Sequence, residues 1–132
     1  MIGLDTNVVI RYLTQDDARQ SATATRLFEK TLSTENPGFV SAITLCEICW
    51  VLAECYGADR KRIAAVIEGL LGSKQVVVES SELAWKALRA WQGSAADFSD
   101  ALIAEVAAAH GADHVATFDK AAAKLPRFRL LT

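Results

Sequence analysis

The chain has 132 residues, of which 52% are hydrophobic, so it is long enough for one compact core and short for two domains. Its formal net charge of -2 excludes a strongly basic protein that coats nucleic acid, although a nuclease whose surplus acids bind cations remains compatible. No apolar run approaches the roughly 20 residues of a membrane helix, and the first residues lack a signal-peptide pattern. We therefore expect a single cytoplasmic domain over residues 1–132, with no membrane association.

Short apolar runs alternate with helical patterns through the first half of the chain. Ser41 and Asp59 can each cap a helix by accepting a hydrogen bond from a backbone N–H of its first turn. Gly57 can end a helix in the left-handed conformation. The predicted elements are, in chain order, a strand Ile2–Leu4, a helix Thr6–Leu13, a helix from Asp16 or Asp17 to about Leu32, a strand Phe39–Val40, a helix from Ser41 to Gly57, and a helix from Asp59 to about Gly72.

The second half of the chain continues the alternation of strands and helices. Its predicted elements are a strand Val76–Val78, a helix from Ser80 or Ser81 to Gly93, a helix from about Asp97 to His110, a strand Val115–Phe118 and a strand Phe128–Leu131. Strands separated by helices indicate parallel pairing with right-handed crossovers. The predicted fold is α/β, a three-layer α/β/α domain with a central parallel sheet of four to five strands. A ligand site is then expected beyond the carboxyl ends of the strands.

Five acidic residues fall at predicted strand ends or at nearby helix positions: Asp5, Glu47, Asp97, Asp100 and Asp119. Glu47 is the only charged residue between Asn36 and Ala53, and we expect it on a buried apolar helix face, where a carboxylate needs a partner. Several carboxylates at one edge of a sheet repel each other unless cations lie among them. Hard divalent ions such as Mg²⁺ or Mn²⁺ prefer oxygen ligands, so the pattern predicts a metal site.

Each of these acids also has a purely structural interpretation. Asp97 and Asp100 can cap a helix and complement its dipole. Asp5 and Asp119 can likewise cap the helices that follow them, and for these two the structural and functional interpretations are equally open. Ordinary surface charges are expected at Glu29, Glu54, Glu68, Glu79 and Glu82.

Cysteine, histidine and tryptophan patterns favour structural roles. Cys46 and Cys49 form C-x-x-C, and His110 and His114 form H-x3-H, but roughly 60 residues separate the two pairs, against about 12 in a zinc finger. The cysteines are therefore expected to be reduced, structural thiols. Packing in the core is expected first, and a dimer contact second, for the tryptophans on apolar helix faces, Trp50, Trp85 and Trp91.

Four segments carry most of these features: "IGLDTNVVIRYL", "SAITLCEICWVL", "DFSDALIAEVAAAHGA" and "VATFD". Their order and spacing resemble the PIN-domain ribonucleases, in particular the VapC-like toxins of bacterial toxin and antitoxin pairs, and the resemblance covers essentially the whole chain. By position, it implies that the four motif acids are Asp5, Glu47, Asp100 and Asp119. The auxiliary positions that it implies are Asp97, which is acidic in some members, and the polar residues Thr6, Asn7 and Thr117, which can orient the acids or a water.

The resemblance implies a metal-dependent endoribonuclease whose substrate is RNA. Its four acids would hold one or two Mg²⁺ ions, with Mn²⁺ as a substitute, which lower the pKa of an attacking water and stabilise the leaving 3′-oxygen. The products would carry a 5′-phosphate and a 3′-hydroxyl. The resemblance also implies a homodimer and a small antitoxin protein, which we expect to insert an arginine, or less favourably a lysine, into the acidic site.

Other function classes remain open at this point. A haloacid-dehalogenase-like phosphatase also has an aspartate after its first strand, but it needs a second acid where this chain has Asn7. A response-regulator receiver domain clusters acids around Mg²⁺ but has no use for Glu47. A non-catalytic binding module of the same fold, or a housekeeping PIN nuclease without an antitoxin, would share the sequence pattern.

Overall fold

The computed structural model describes residues 1–132, which divide into two compact units. The first unit comprises Met1–Glu79 and the second Ser80–Thr132. Both consist of helices and parallel strands, which confirms the predicted α/β class. None of the helices is both long enough and apolar enough to cross a membrane. That the whole chain forms a single domain stays a prediction.

The first unit contains a three-stranded parallel sheet with four α-helices. Its elements are β1 (Ile2–Gly3), α1 (Thr6–Thr14), α2 (Ala18–Arg26), a π-helical segment (Leu27–Thr31), β2 (Gly38–Val40), α3 (Ala42–Tyr56), α4 (Arg60–Gly72) and β3 (Val76–Val78). The strand order is β1-β2-β3, and Gly38 pairs with Ile2 on one side and with Val76 on the other. Most predicted boundaries in this unit are therefore confirmed to within one or two residues, although the second predicted helix becomes π-helical after Arg26.

Three of the predicted helix caps are confirmed in the first unit. The Ser41 side chain accepts a hydrogen bond from the Thr44 N–H, and the Asp59 carboxylate accepts one from the Arg62 N–H. Gly57 ends α3 with a φ of 62°, a left-handed conformation that glycine adopts without steric cost. Local side-chain chemistry therefore sets these helix ends.

Asp17, and not Asp16, caps α2, while Asp16 belongs to a polar network. The Tyr56 hydroxyl donates to Asp16 Oδ2 over 2.6 Å, and Arg11 Nη1 donates to Asp16 Oδ1 over 3.3 Å. Hydrogen bonds from Tyr56 and then Thr14 lower the pKa of Asp16. The network links α1, the start of α2 and the end of α3.

The core of the first unit includes residues close to the start of the chain. Val9, Val40 and Leu45 are fully buried, and Leu4 is only 5% exposed. A β-carbon added at Gly38 would lie 2.6 Å from Cδ1 of Leu4, closer than carbon atoms can pack. Glycine at this position therefore makes room for the side chain of Leu4.

The second unit contains two α-helices and a two-stranded parallel sheet. Its elements are α5 (Ser81–Gln92), α6 (Phe98–Ala109), β4 (Val115–Thr117), a 3-10 turn (Ala122–Lys124) and β5 (Phe128–Leu130). Val115 pairs with Phe128. The rings of Trp91 on α5 and Phe98 on α6 meet edge to face, with their centroids 6.0 Å apart. The five strands thus occur as predicted, with hydrogen bonds that group them into sheets of three and two.

The three tryptophans differ in burial, and one prediction about them is wrong. Trp91 is in the core at 3% exposure, as expected, whereas Trp85 is half-buried. Trp50 is 64% exposed. Helix α3 is apolar on several faces, so apolar spacing alone did not identify the face that packs inward.

Candidate active site

Asp5 stands between the first strand and the first helix. It is the N-cap of α1, with extended backbone, and its Oδ1 accepts a hydrogen bond from the Val8 N–H over 3.2 Å. Asp5 is exposed, and its Oδ2 accepts no hydrogen bond within the chain. The acid at the end of the strand is therefore a helix cap that keeps one carboxylate oxygen available.

Thr6 connects the start of α1 to Glu47 on α3. Its Oγ1 donates a hydrogen bond to Glu47 Oε1 over 2.7 Å, across 41 positions of sequence. Asn7, the next residue, is exposed. The first unit thus brings Thr6 and Glu47 into direct contact and fixes one oxygen of the glutamate.

The predicted burial of Glu47 is wrong. Glu47 is exposed, and so are Ile43 at 75% and Trp50 at 64%, one turn to either side on the same helix. The buried side of α3 is formed instead by Leu45, Ile48, Cys49 and Leu52. Because this helix is apolar on its exposed side as well, the apolar neighbours of Glu47 did not indicate burial.

The buried glutamate of the chain is Glu105 on α6, which the sequence did not single out. Glu105 is 8% exposed, and Arg127 Nε donates a hydrogen bond to its Oε2 over 3.0 Å. Its position within an alanine-rich helix was a usable signal, since a carboxylate buried among alanines needs a cation. The pair lies within the second unit and satisfies that requirement.

Asp97 and Asp100 lie together at the start of α6. Asp97 is the N-cap, and the two residues form a capping box in which the Asp97 N–H donates to Asp100 Oδ2 over 3.3 Å. Burial raises the pKa of Asp100, the hydrogen bond from Asp97 lowers it, and the negative charges of Asp97 and Asp119 raise it further. The second unit therefore brings Asp97 and Asp119 close enough to Asp100 for each to repel its charge.

Asp119 follows β4 and caps the turn after it. Its Oδ1 accepts hydrogen bonds from the Ala121 N–H at 2.8 Å and the Ala122 N–H at 3.3 Å. The Asp119 N–H in turn donates to Oγ1 of Thr117, the last residue of β4, over 3.0 Å. Thr117 and the turn together fix the orientation of this carboxylate.

The structural and functional interpretations of these acids are compatible. Asp5, Asp100 and Asp119 each use carboxylate oxygens to accept backbone N–H groups, which orients the side chain and leaves further lone pairs for a ligand. Carboxylate oxygens are suitable ligands for a hard divalent cation, and a cation near Asp100 would offset both its burial and the neighbouring negative charges, which raise its pKa. The donor chemistry thus fits a metal, although no group of three His, Cys, Asp or Glu side chains in the chain is arranged so that it could hold one.

Glu79 has a role that the sequence interpretation as a surface charge missed. It is exposed, but its Oε1 accepts a hydrogen bond from the N–H of Ala42, the first residue of α3, over 2.8 Å. Val78 pairs with Val40, so the residue after β3 lies beside the end of β2 where α3 begins. The parallel register of the two strands was the signal that could have identified this cap.

The cysteines are free, as predicted. Cys49 is buried, and desolvation raises the pKa of its thiol to about 12. Burial likewise raises the pKa of Cys46. Protonated thiols are poor nucleophiles and poor metal ligands, which supports a packing role for this pair.

Comparison with known proteins identifies one family. The PIN domain family matches residues 2–127, a range that includes all of the acids described above. No curated protein matches the chain. PIN domains are generally metal-dependent nucleases that use divalent cations, which supports phosphodiester hydrolysis on a nucleic acid. With the match covering nearly its whole length, the chain belongs to the PIN domain family.

Proposed function

We propose that this protein is a Mg²⁺-dependent endoribonuclease and the toxin of a VapC-like toxin and antitoxin pair. The observation that carries the proposal is the placement of Asp100 beside Asp97 and Asp119, whose negative charges both act on it, in a chain of the PIN domain family. Uncompensated negative charge costs stability, and a bound cation would offset that cost. The four motif acids that the sequence resemblance implies are all present.

In this proposal Asp5, Glu47, Asp100 and Asp119 form one catalytic site over a single domain of residues 1–132. These carboxylates would hold Mg²⁺, or Mn²⁺ as a substitute. When bound, the cation supplies positive charge to the phosphate oxygens and lowers the pKa of the attacking water.

The chain's own residues would supply orientation in this site. Thr6 holds Glu47 Oε1, and the Val8 N–H holds Asp5 Oδ1, so that each acid keeps a second oxygen for the ligand. The backbone N–H groups of Ala121 and Ala122 hold Asp119 Oδ1 in the same way, while Thr117 Oγ1 accepts a hydrogen bond from the Asp119 backbone N–H. Oriented carboxylates can direct a water for in-line attack on the phosphorus, which would yield a 5′-phosphate and a 3′-hydroxyl.

The decisive experiment is substitution of single acids. Asp5→Asn and Asp100→Asn should each reduce Mg²⁺-dependent cleavage of RNA by at least about 100-fold, because each change removes ligand charge at almost constant volume. Glu68→Gln is the matched control, since Glu68 is an exposed acid on α4 outside the site. Cleavage by purified Asp100→Asn at the wild-type rate, in a chain with the wild-type circular dichroism spectrum, would contradict the proposal.

We further propose that a small antitoxin protein inhibits the enzyme by placing an arginine among the acids. The planar guanidinium binds carboxylates through two parallel hydrogen bonds and would compete with Mg²⁺ for the same oxygens. Binding of the inhibitor should therefore weaken as Mg²⁺ rises at constant ionic strength, and replacing its arginine by alanine should restore cleavage in the complex. Equal binding to wild type and to an Asp5→Asn, Asp100→Asn double variant, without sensitivity to Mg²⁺, would show that inhibition acts elsewhere.

A homodimer is the third component of the proposal. Its support is the exposed side of α3, where Ile43 and Trp50 present large apolar side chains to solvent. Tryptophan is enriched at the centres of protein interfaces, and a second copy of the chain would bury Trp50 together with Ile43.

A further inference from the structure

The first unit contains a cleft between α1 and α2 that reaches the candidate active site. Its volume is about 600 Å³, within the range of roughly 300 to 1,000 Å³ that is typical of ligand pockets. Asp5 lies at the cleft, along with Asn7 and the guanidinium-bearing residues Arg11 and Arg19, while Val8 and Leu27 supply apolar surface. Polar and apolar groups therefore line one cavity next to a proposed catalytic carboxylate.

The two arginines of this cleft differ in what their guanidinium groups do. Arg11 is held by its neighbours, because its Nε donates to Gln20 Oε1 over 2.8 Å and its Nη1 donates to Asp16 and Tyr56. Arg19 is exposed, and its guanidinium makes no hydrogen bond or ion pair within the chain. The cleft thus contains one fixed cation and one cation that is free to bind an anion.

We propose that this cleft is a subsite for the nucleotide next to the scissile phosphate of a single-stranded RNA, with Arg19 binding the phosphate of that nucleotide. The inference rests on the proposed function, since Asp5 is what places the cleft beside the reacting group. Every nucleotide of a strand carries a phosphate, so a strand with one phosphate at the acids presents another within a short distance. The guanidinium fork fits phosphate oxygens, which makes arginine a suitable partner for that second phosphate.

The remaining groups of the cleft suit the rest of a nucleotide. The Asn7 amide can donate and accept hydrogen bonds to a base edge or a 2′-hydroxyl, and it is exposed at the first turn of α1. Val8 and Leu27 provide apolar contact for a sugar or a base face. Single-stranded RNA exposes its base faces and Watson–Crick edges, whereas in a paired helix the bases are stacked and those edges are paired with the other strand.

Removal of the free guanidinium should weaken RNA binding in a defined way. In an Asp100→Asn background, which prevents cleavage, Arg19→Ala should weaken the binding of a short single-stranded RNA about tenfold. It should also reduce the slope of log K against log salt by about 0.7, the value for one phosphate contact on a single strand. The affinity of Arg19→Lys for the RNA should lie between those of the chain with Arg19 and of Arg19→Ala, because lysine keeps the charge without the planar fork. Arg89→Ala, an exposed arginine on α5, is the matched control and should leave both quantities unchanged.

A second measurement locates the phosphate that Arg19 binds. After the cleavage position of wild type is mapped, RNA oligonucleotides carry a neutral methylphosphonate at one linkage at a time. The methylphosphonate at one linkage adjacent to the cut should lower the affinity of wild type for RNA. The same modification should have no effect on the affinity of Arg19→Ala. Equal affinity of Arg19→Ala and the control for unmodified RNA would overturn the proposal and leave an acidic protein segment as the occupant. Equal sensitivity of Arg19→Ala and wild type at every linkage would overturn it as well.

These outcomes are separate from the test of the proposed function. Wild-type protein that does not cleave RNA with Mg²⁺ or Mn²⁺ would contradict the ribonuclease proposal itself. Wild-type protein that cleaves RNA, together with an Arg19→Ala variant of unchanged affinity and salt dependence, would contradict the subsite alone.

Discussion

In the first unit, Asp5 and Glu47 each accept a hydrogen bond from the chain, from the Val8 N–H and the Thr6 hydroxyl respectively. In the second unit, burial raises the pKa of Asp100, and the charges of Asp97 and Asp119 raise it further. The first pair is thus oriented by neutral donors, whereas the second group is held together against its own repulsion. We infer that the second unit gains more from a bound cation than the first.

The second unit also contains the opposite arrangement. Glu105 is buried and has its own cation, Arg127, at 3.0 Å. A carboxylate with a built-in cation stabilises the fold when both partners are present, and a carboxylate beside other carboxylates destabilises it until a cation arrives. The same side-chain chemistry therefore serves the fold at Glu105 and is available for a ligand at Asp100.

The largest expected effect separates these two kinds of acid. Arg127→Ala should lower the free energy of unfolding by about 2 kcal/mol, because it leaves the buried carboxylate of Glu105 without its charged hydrogen-bond donor. Arg129→Ala is the matched control, an exposed arginine on the same strand β5. Unfolding in urea measures the free energy of unfolding of both variants. A loss at Arg127 no greater than at Arg129 would show that Glu105 does not depend on this ion pair.

The next effect is the response to metal. Mg²⁺ at ten times its dissociation constant should stabilise the wild-type protein by about 1.4 kcal/mol, seen as a rise in melting temperature. Asp100→Asn should remove most of this gain and Glu47→Gln less of it, because repulsion is concentrated at Asp100. If Mg²⁺ stabilises Asp100→Asn as much as wild type, the acids of the second unit are caps and not ion ligands.

The smallest effect concerns pH without metal. Because the folded state raises the pKa of Asp100 above its unfolded value of about 3.9, stability declines as pH rises through the folded pKa. Asp100→Asn removes this decline, so at pH 7 it should melt about 1–3 °C above wild type, and the difference should vanish below about pH 3, where both states are protonated.

Asp16 supplies a test of the opposite sign. Its pKa is lowered, so its contribution to stability is present above the unfolded pKa and is lost as pH falls. Asp16→Asn should therefore lower the melting temperature at pH 7. Identical pH profiles for the Asp100→Asn and Asp16→Asn variants would contradict the contrast between the two sites.

Helix ends were predictable from sequence because their chemistry is local. Ser41, Asp59 and Gly57 each act within a few residues of their own position, and the structure confirms all three. The π-helical segment Leu27–Thr31 was not predicted, since nothing in its residue types distinguishes it from the end of an α-helix.

The spacing of acids and the family resemblance predict a site that includes Asp5 and Asp100, and their role in catalysis stays a prediction. The exposure of Glu47 was not predictable, because it depends on which face of α3 packs inward. Because that helix is apolar on several faces, the sequence could not decide. The free guanidinium of Arg19 became evident only in the folded first unit, where Arg11 takes the nearby partners.

A substitution at Gly38 would disturb Asp5 without changing the acid itself. The space that a β-carbon would occupy at this position belongs to Leu4, which is the residue immediately before Asp5. A selection for chains that have lost activity would therefore return changes at Gly38 beside changes at the carboxylates, although residue 38 carries no polar side chain. The site thus depends on the absence of a side chain at residue 38 as well as on the carboxylates themselves.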